Sequence, residues 1–304
     1  MTHQAARIRE LSDQELAQRL AHGLDLETGP FVFHIKSSET AVFNGIRRIY
    51  ADFPISTEAV RDFHVRVRRP TGLRHWFHPQ VVFEHDRKSP FMPLPAGHAF
   101  AGLEWGMNWC IAGYAHHFLT LHAAVLERNG RAVMLPGEPG AGKSTLTAAL
   151  SLSGWRLLTD ETALVDLDTG ELWPMARPIN LKNSSIDIIQ AFSSTAIFGD
   201  KAVDTHKGTV AHLKPSLDTV LRMHEPCRIG WVVFPRWRAD APARLTRRPR
   251  ADTFVFAAEN SFNYSVLGET GFRTLEGIIR EAECFDFRYG NLQDALAVFE
   301  KLAA

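Results

Sequence analysis

The stretch Gly137-Glu138-Pro139-Gly140-Ala141-Gly142-Lys143-Ser144 decides how the fold of this chain is interpreted. It fits the pattern G-x-x-x-x-G-K-[ST] of the P-loop, which holds a nucleoside triphosphate. Its glycines let the backbone turn so that the N–H groups form a nest for phosphate oxygens. We expect Lys143 to reach the β- and γ-phosphates and Ser144 to offer its hydroxyl to Mg²⁺. The predicted nucleotide-binding stretch extends to Thr145.

The segments on either side of this stretch agree with the motif. Residues 132–135 form a short apolar run that ends just before the loop, as a buried parallel strand would. Residues 144–152 predict a helix whose positive N-terminal end faces the phosphates. The competing interpretation is a tight strand-to-helix turn that happens to contain Lys-Ser. The order strand, glycine loop and helix favours nucleotide binding.

A second informative stretch, Trp155-Arg156-Leu157-Leu158-Thr159-Asp160-Glu161, follows directly after this helix. An apolar strand that ends in two carboxylates resembles a Walker B element. Asp160 would hold Mg²⁺, directly or through water, and Glu161 would polarise a nucleophile. A solvated turn is the alternative, but the position just after a P-loop helix favours a functional pair.

These stretches, together with His122-Ala123-Ala124-Val125, resemble the catalytic core of HPr kinase/phosphorylase. The resemblance is closer to the HPr-kinase-related proteins of peptide-modification settings, and it is strong over residues 120–182 and weaker toward the C-terminus. That family shares its core with phosphoenolpyruvate carboxykinase. The resemblance implies an α/β fold in which a mixed sheet flanked by helices forms the P-loop core. A smaller, strand-rich N-terminal domain precedes it and does not resemble the HPr kinase N-terminal domain.

The resemblance also implies a reaction, the phosphorylation of a protein serine by ATP or GTP with Mg²⁺. Carried over by position, Lys143 contacts phosphate and Ser144 binds the metal. Asp160 accepts the proton of the substrate hydroxyl, and His122 supports the acidic pair. Such a transfer needs charge neutralisation and in-line positioning more than covalent help, and a carboxylate can take the proton late in the transfer.

Two positions depart from the family pattern. The second of two adjacent aspartates is replaced by Glu161, which keeps the charge and moves it by one methylene. Where the family has a Mg²⁺-binding Glu two residues before an arginine, this chain has Met175 before Arg177. The second metal ligand is therefore open between Glu161 and Glu171, and the reverse, phosphorolytic activity is open as well.

The acceptor side of the predicted site rests on two cationic stretches. Arg177 and Lys182 would neutralise γ-phosphate charge in the transition state, or they are a pair of surface cations. His206, Lys207 and His212 belong to a polar, glycine-containing loop that resembles a loop closing over the active site in the related kinases. There they would contact phosphate or the acceptor, and the alternative is a solvated loop. No spacing argument brings residues 260–264 to the site.

Composition bounds the class of protein and its partners. The 304 residues are 45% hydrophobic and 22% charged, as is typical of a globular protein, with 34 basic and 34 acidic residues. This balance indicates neither a nucleic-acid nor a membrane partner. The three scattered cysteines form no C-x-x-C, and we see no signal peptide, so we expect a cytoplasmic protein.

The chain is expected to form two domains, a strand-rich α+β region over residues 1–100 and a P-loop catalytic domain over residues 101–304. The predicted strands are listed here by number: 31–35, 46–50, 63–68, 81–84, 122–126, 132–135, 157–158, 162–165 and 229–234, the last ended by Pro235. The predicted helices are 102–121, 186–192, 271–282 and 292–302, together with a short helix that begins at the capping box Ser12-Asp13-Gln14-Glu15.

These patterns favour a kinase that transfers the γ-phosphoryl group to a serine of a small protein or peptide. A P-loop ATPase or nucleotide switch is the first alternative, with Glu161 activating water and the N-terminal domain binding a partner. A small-molecule kinase is the second. The acceptor, the choice between ATP and GTP, and homo-oligomer formation are left open.

Overall fold

The computed structural model describes residues 5–70, 79–138 and 140–304, so Pro139 of the predicted P-loop lies outside the described residues. The chain forms two compact units. The first contains Met1–Ile111, Asn180–Ile186 and Thr195–Lys214, and the second contains Ala112–Ile179, Asp187–Ser194 and Pro215–Ala304. The predicted domains meet at one cut between residues 100 and 101, whereas the compact units are interleaved along the chain.

A five-stranded sheet forms the centre of the first unit, in the order β1-β2-β3-β4-β5. Its strands are β1 (Leu24–Glu27), β2 (Val32–Ser37), β3 (Phe63–Arg68), β4 (Gln80–His85) and β5 (Leu94–Pro95). Strands β2 and β3 pair in parallel, and the pairs β1–β2, β3–β4 and β4–β5 are antiparallel. Phe63, Val65 and Val67 of β3 are buried and the intervening residues are more exposed, as the alternating sequence predicts.

The described α-helices in the first part of the chain are α1 (Asp13–His22), which precedes β1, α2 (Thr40–Ile49), which lies between β2 and β3, and α3 (Ala99–Tyr114), which follows β5. The capping box at Ser12 and Glu15 is confirmed. The strand predicted at residues 46–50 is wrong, because those residues end α2. Val42, Ile46 and Ile49 recur at helical spacing and are all buried, so the apolar signal came from one helix face.

Helix α3 confirms the predicted buried helix but ends earlier than residue 121. Its residues are buried on nearly all sides, and Phe118 already begins the next strand. Gly106 lets the ring of Phe83 approach the helix, since a Cβ at that glycine would lie 2.1 Å from a ring carbon.

A second, three-stranded sheet contains β11 (Ile179–Lys182), β12 (Ala202–Thr205) and β13 (Gly208–Leu213), in the order β11-β13-β12. The predicted polar loop at residues 204–212 is instead mostly a β-hairpin. Thr205 pairs with Gly208, so His206 and Lys207 form its two-residue turn.

An eight-stranded mixed sheet forms the centre of the second unit, in the order β10-β9-β6-β7-β14-β16-β15, with β8 also paired to β6. The strands are β6 (Phe118–Arg128), β7 (Arg131–Pro136), β8 (Arg156–Thr159), β9 (Thr162–Asp166), β10 (Leu172–Trp173), β14 (Arg228–Trp237), β15 (Arg244–Arg247) and β16 (Glu283–Tyr289). Strands β7, β14 and β16 run parallel, and the other pairs are antiparallel.

Strand β14 continues through Pro235, which was predicted to end it. Its pairing with β7 stops at Val232 and Met134, whereas its pairing with β16 continues to Trp237. Pro235 therefore lies beyond the β7 ladder, where a missing N–H costs no hydrogen bond on that edge.

The remaining helices are α4 (Lys143–Leu152), α5 (Ser184–Phe192), α6 (Leu217–Leu221), α7 (Arg250–Glu259), α8 (Tyr264–Glu281) and α9 (Leu292–Ala303). Helices α7 and α8 pack with the β6–β9–β14 sheet in one hydrophobic core that includes Leu275, Ile278 and Ile279. Among the helices that the structure describes, none combines the length and apolar character needed to cross a membrane. The chain is thus a mixed α/β protein.

Candidate functional site

The predicted P-loop connects β7 to α4. Gly140 and Gly142 have φ of +84° and +87°, a left-handed conformation that strains any residue with a side chain. Gly142 is the N-cap of α4, and its carbonyl accepts a hydrogen bond from the Leu146 N–H at 3.0 Å. The glycines thus produce the sharp strand-to-helix turn that the motif requires.

The ends of β14 and β16 hold this turn from one side. The Trp237 N–H donates to the Ala141 carbonyl at 3.0 Å, and the Tyr289 hydroxyl donates to the Gly142 carbonyl at 3.1 Å. A Cβ at Gly142 would lie 2.6 Å from the Tyr289 hydroxyl oxygen and 2.9 Å from the Trp237 Cβ. Both carbonyl oxygens are thereby engaged by β-strand residues, which keeps their negative ends from repelling an anion in the loop.

Lys143, Ser144 and Thr145 form the first turn of α4 and are half-buried. The Nζ atom of Lys143 is shielded from solvent. The first N–H groups of a helix lack intrahelical acceptors and carry its positive dipole end, so this turn favours an anion.

Asp160 and Glu161 form a bend between two strands that both pair with the same edge of β6. Thr159, the last residue of β8, lies opposite Val125, and Thr162, the first residue of β9, lies opposite His122. The two carboxylates therefore interrupt a nearly continuous strand beside Ala123 and Ala124. The Asp160 side chain is buried, and Glu161 is half-buried.

Strand β6 brings the P-loop and the acid bend close together. On its other edge Ala123 pairs with Pro136, the last residue of β7 before the loop. Neighbouring strands lie about 4.8 Å apart, so the base of the loop and the acid bend are separated by two strand spacings, roughly 10 Å. The loop that leads to Lys143 and Ser144 thus starts at one edge of β6, and the bend with Asp160 and Glu161 lies at the other edge.

His122 lies on β6 at the same level and is half-buried. The backbone N–H of His122 donates to the Asn260 carbonyl at 2.9 Å, and the His122 ring lies 5.9 Å from the Phe262 ring. The buried Asn263 amide accepts from the Thr120 N–H and donates to the Phe118 carbonyl, at 2.9 and 2.8 Å. Residues 260–263, for which no spacing argument existed, are thus hydrogen-bonded along β6 next to His122.

The segment that carries Met175 and Arg177 runs beside β8. The Met175 N–H donates to the Leu158 carbonyl at 2.8 Å, and both side chains are buried. Glu171 lies elsewhere, because its carbonyl accepts from the N–H of Asp166 at the far end of β9. Four residues of extended strand, roughly 13 Å, separate that end from Thr162. Of the two acids left open as metal ligands, only Glu161 lies at the bend.

The four residues of the first unit that were predicted for the acceptor side lie on different elements. Lys182 is an exposed residue that ends β11, and His212 is buried on β13 against Phe100. His206 and Lys207 are at the hairpin turn, where the His206 ring lies 5.0 Å from the Trp105 ring and the Lys207 Nζ lies 5.2 Å from it. The side chain of His212 is therefore part of the packing, whereas His206 is exposed.

The hairpin turn borders a cavity of about 520 Å³ in the first unit, lined by residues of the β5 region, α3 and the turn, among them Phe91, Leu94, His98 and Trp105. Its walls are mainly apolar and aromatic, as is common in ligand pockets.

Sequence reasoning missed the residues that hold the P-loop from β14 and β16. Trp237 is 51% exposed, and Arg236 and Arg238 beside it are exposed too. Burial raises the pKa of the Tyr289 hydroxyl, which therefore stays protonated as a donor to Gly142. Neither residue belongs to a motif, and the only available signal was their position at the ends of apolar strands.

No group of three or more His, Cys, Asp or Glu side chains that could hold a metal ion occurs within residues 5–70, 79–138 and 140–304. A metal at the acid bend would therefore need other oxygen ligands. Mg²⁺ is commonly held in this way, by one or two carboxylates together with phosphate oxygens.

No protein-family model and no curated protein matches the chain. Among solved structures, the chain is similar to the HPr(Ser) kinase/phosphatase from Coxiella burnetii, with 13% identity over 60% of this chain and 96% of that one. The TM-score of this alignment is 0.26, a value too low to support an argument about fold or activity.

Proposed function

We propose that this chain is a nucleotide-triphosphate-dependent kinase that transfers a γ-phosphoryl group to a serine of a small protein or peptide. The observation that carries the proposal is the register of β6, with the base of the P-loop opposite Ala123 on one edge and the Asp160–Glu161 bend beside it on the other. A P-loop alone supports only nucleotide binding. A buried carboxylate two strand spacings away supports chemistry at the terminal phosphate.

Each residue of this arrangement has a distinct role in the proposed transfer. The N–H groups of residues 140–144 and the Lys143 ammonium hold the triphosphate and neutralise its charge. Asp160 accepts the proton of the serine hydroxyl as the oxygen–phosphorus bond forms. His122, on the strand between the loop and the bend, orients the acidic pair, and the buried Arg177 supplies positive charge beside β8.

The donor set at the bend fits Mg²⁺. The Ser144 hydroxyl and the carboxylates of Asp160 and Glu161 are hard oxygen ligands on adjacent elements, and phosphate oxygens would complete the shell. When bound, Mg²⁺ would neutralise charge on the β- and γ-phosphates. The start of α4 offers its free N–H groups to a phosphate group, and the turn that presents them needs glycine at Gly142, because a Cβ there would collide with Tyr289 and Trp237.

The serine acceptor rests on the family resemblance of the core residues and not on a feature of the fold. A P-loop ATPase or switch is the competing function, in which Glu161 would activate water. Glu161 is half-buried beside the buried Asp160, and this position is compatible with either function, so product analysis has to separate the kinase from the ATPase.

A transfer assay separates these functions. The full chain is incubated with Mg²⁺ and γ-labelled ATP or GTP, together with a degenerate peptide library that contains one serine, or with the same library carrying alanine instead. The kinase function predicts label in the serine library only. Release of labelled phosphate at the same rate with either library, without labelled peptide, would support the ATPase and overturn the kinase.

Three variants assign the roles. Asp160→Asn should lower transfer by about 10²- to 10⁴-fold, the usual range for a lost general base, while nucleotide affinity changes little. Lys143→Ala should weaken nucleotide binding about ten- to a hundredfold, because a charged hydrogen bond is lost. Glu171→Gln is the matched control, since Glu171 lies at the far end of β9, and it should retain full transfer.

A further inference from the structure

Trp237 is a large aromatic side chain that the fold leaves exposed at the wall of the P-loop. Half of its surface faces solvent, and it is the last residue of β14. Single exposed apolar residues are common and need no explanation by themselves. The position of Trp237 relative to the loop is what separates it from the other exposed aromatic residues.

Two hydrogen bonds hold this residue in place. The Trp237 N–H donates to the Ala141 carbonyl at 3.0 Å, and the indole Nε1 donates to the Gly290 carbonyl at 3.3 Å. Its Cβ lies 2.9 Å from the position that a Cβ at Gly142 would occupy. The ring is thus anchored at its backbone and at its nitrogen while its surface stays accessible.

The strand order decides which part of a nucleotide would meet this ring. Strand β7 leads into the loop and has two neighbours, β6 and β14. The Asp160–Glu161 bend lies on the β6 side, and Trp237 lies on the β14 side. A triphosphate whose γ-phosphate faces the acids extends its α-phosphate and nucleoside away from them, toward β14.

We infer that Trp237 is the stacking platform for the base of the bound nucleotide. This inference rests on the proposed nucleotide-dependent function. Stacking uses the face of a base and not its hydrogen-bonding edge, so ATP and GTP would both be accepted. The adjacent Arg236 and Arg238 are exposed cations on the same strand end, and they add positive potential around the polyphosphate.

The competing platform is Phe262, which is 45% exposed, with its ring 5.9 Å from the ring of His122. Strand β9 fills one edge of β6 at residues 118–122, so residues 260–263 bond to the other edge of β6, the edge that β7 uses. A base on Phe262 would lie beside β6, whereas a base on Trp237 would lie at the end of β14.

Calorimetric titration of the full chain tests the inference, with Mg²⁺ and three ligands: ATP, GTP and inorganic tripolyphosphate. We expect Trp237→Ala to weaken ATP and GTP about ten- to a hundredfold, the loss typical of a base–aromatic stack, and to leave tripolyphosphate within about twofold. Trp237→Phe should keep most of the affinity. Phe272→Ala, a change of an aromatic residue that is 49% exposed on α8, is the control and should bind like the wild type.

Several results would overturn the inference. Unchanged ATP affinity in Trp237→Ala would do so, and so would an equal loss of tripolyphosphate, which would indicate damage to the loop. A selective loss in Phe262→Ala instead would place the base beside β6. If the wild type binds tripolyphosphate as tightly as ATP, the platform fails while the phosphate site stands. If it binds no ligand, the proposed function fails with it.

A spectroscopic readout separates stacking from a structural role. Base stacking on an indole quenches its fluorescence, so ATP and GTP should quench the wild type more than tripolyphosphate does. The difference should vanish in Trp237→Phe, which retains binding. Persistence of the full quench in that variant would contradict the inference.

Discussion

The hydroxyl of Tyr289 donates a hydrogen bond to the carbonyl oxygen of Gly142 across 3.1 Å, which ties the last residue of β16 to the N-cap of α4. The phenol is buried, and burial raises its pKa, so it remains a donor throughout the ordinary pH range. The loop that would hold a nucleotide is thus positioned by a residue far away in the sequence.

This contact predicts different costs for alanine at two glycines of the loop. Both Gly140 and Gly142 have left-handed φ, so each alanine costs about 1 kcal/mol of backbone strain. Only at Gly142 does the new Cβ meet Tyr289 and Trp237, whereas at Gly140 nothing lies within 4 Å. We expect Gly142→Ala to lower the free energy of unfolding by about 1–3 kcal/mol more than Gly140→Ala, measured by denaturant titration.

The Tyr289 contact itself can be separated from the strain. Adding Tyr289→Phe to Gly142→Ala removes the oxygen that the new Cβ would approach most closely, so the double variant should recover part of the extra loss. Strict additivity of the two single changes would show that the collision is relieved elsewhere.

A buried ion pair between β6 and β8 predicts acid-dependent stability. The Arg156 Nε donates to the Glu127 carboxylate at 2.7 Å, and the two side chains are only 3% and 5% exposed. Desolvation raises the pKa of Glu127, but the hydrogen bonds from the Gly130 N–H and Arg156, together with the nearby positive charges, outweigh it and lower this pKa. Glu127→Gln should therefore cost about 3–5 kcal/mol at pH 7, the usual cost of breaking a buried pair.

The pH dependence follows from the direction of that shift. A lowered carboxyl pKa contributes stability above the unfolded value of about 4.3, and this contribution is lost as the pH falls through the folded value. The difference in the free energy of unfolding between wild type and Glu127→Gln should be constant from about pH 6 to 8, and it should narrow below about pH 4. Glu300→Gln, which breaks the half-exposed pair with Arg128, should cost less than about 1 kcal/mol. An equal cost for both variants would contradict the prediction.

Two glycines of helix α3 should respond to alanine with opposite signs. At Gly106 a Cβ would lie 2.1 Å from the Phe83 ring, so Gly106→Ala should destabilise by about 1–3 kcal/mol or more. At Gly113 nothing lies within 4 Å, so Gly113→Ala should stabilise by about 0.5–1 kcal/mol through helix propensity. Thermal unfolding of the two variants measures both signs, and a shared sign would show that packing against Phe83 is not the cause.

The buried cysteines should resist alkylation in the native protein. Burial raises the pKa of Cys227 to about 12, and nearby charges change it less, because the arginines lower this pKa and the glutamates raise it. All three cysteines are buried. Because the thiolate is the reactive form, iodoacetamide labelling near pH 8 should be far slower than for a free cysteine. Unfolding in urea should release all three thiols, and rapid labelling of Cys227 in the folded protein would contradict its burial.

Much of the secondary structure followed from local patterns. The capping box at Ser12, the alternation of β3 and the apolar strands before and after the glycine loop are all found where the sequence predicts them. The errors have specific causes. The short apolar run at residues 46–50 does not reveal its period, so the sequence cannot separate a strand from a helix there. Pro235 does not end β14 because β7 stops before it, and the sequence does not show where β7 stops.

The residues of the candidate site also divide into those that sequence patterns predict and those that only the structure distinguishes. Sequence patterns predicted the P-loop residues and the Asp160–Glu161 pair as site residues, and the register of β6 brings the end of β7 and the acid bend beside Ala123. They did not distinguish Glu161 from Glu171, since only the pairing of β9 and β10 shows that Glu171 lies at the far end. Nor did they separate His212, buried on a strand, from the exposed His206 at the hairpin turn.

The sequence by itself determined the shape of the glycine turn, because left-handed backbone conformations are a property of single residues. It also determined which polar side chains follow buried strands. Only the tertiary structure decided which residues contact the turn and the neighbouring strand. Tyr289 is hydrogen-bonded to Gly142, Trp237 to Ala141, and Asn263 to β6. These contacts join residues more than ninety positions apart, roughly the scale of a whole domain. They depend on strand order and register, which arise from the packing of the whole sheet and not from any local pattern.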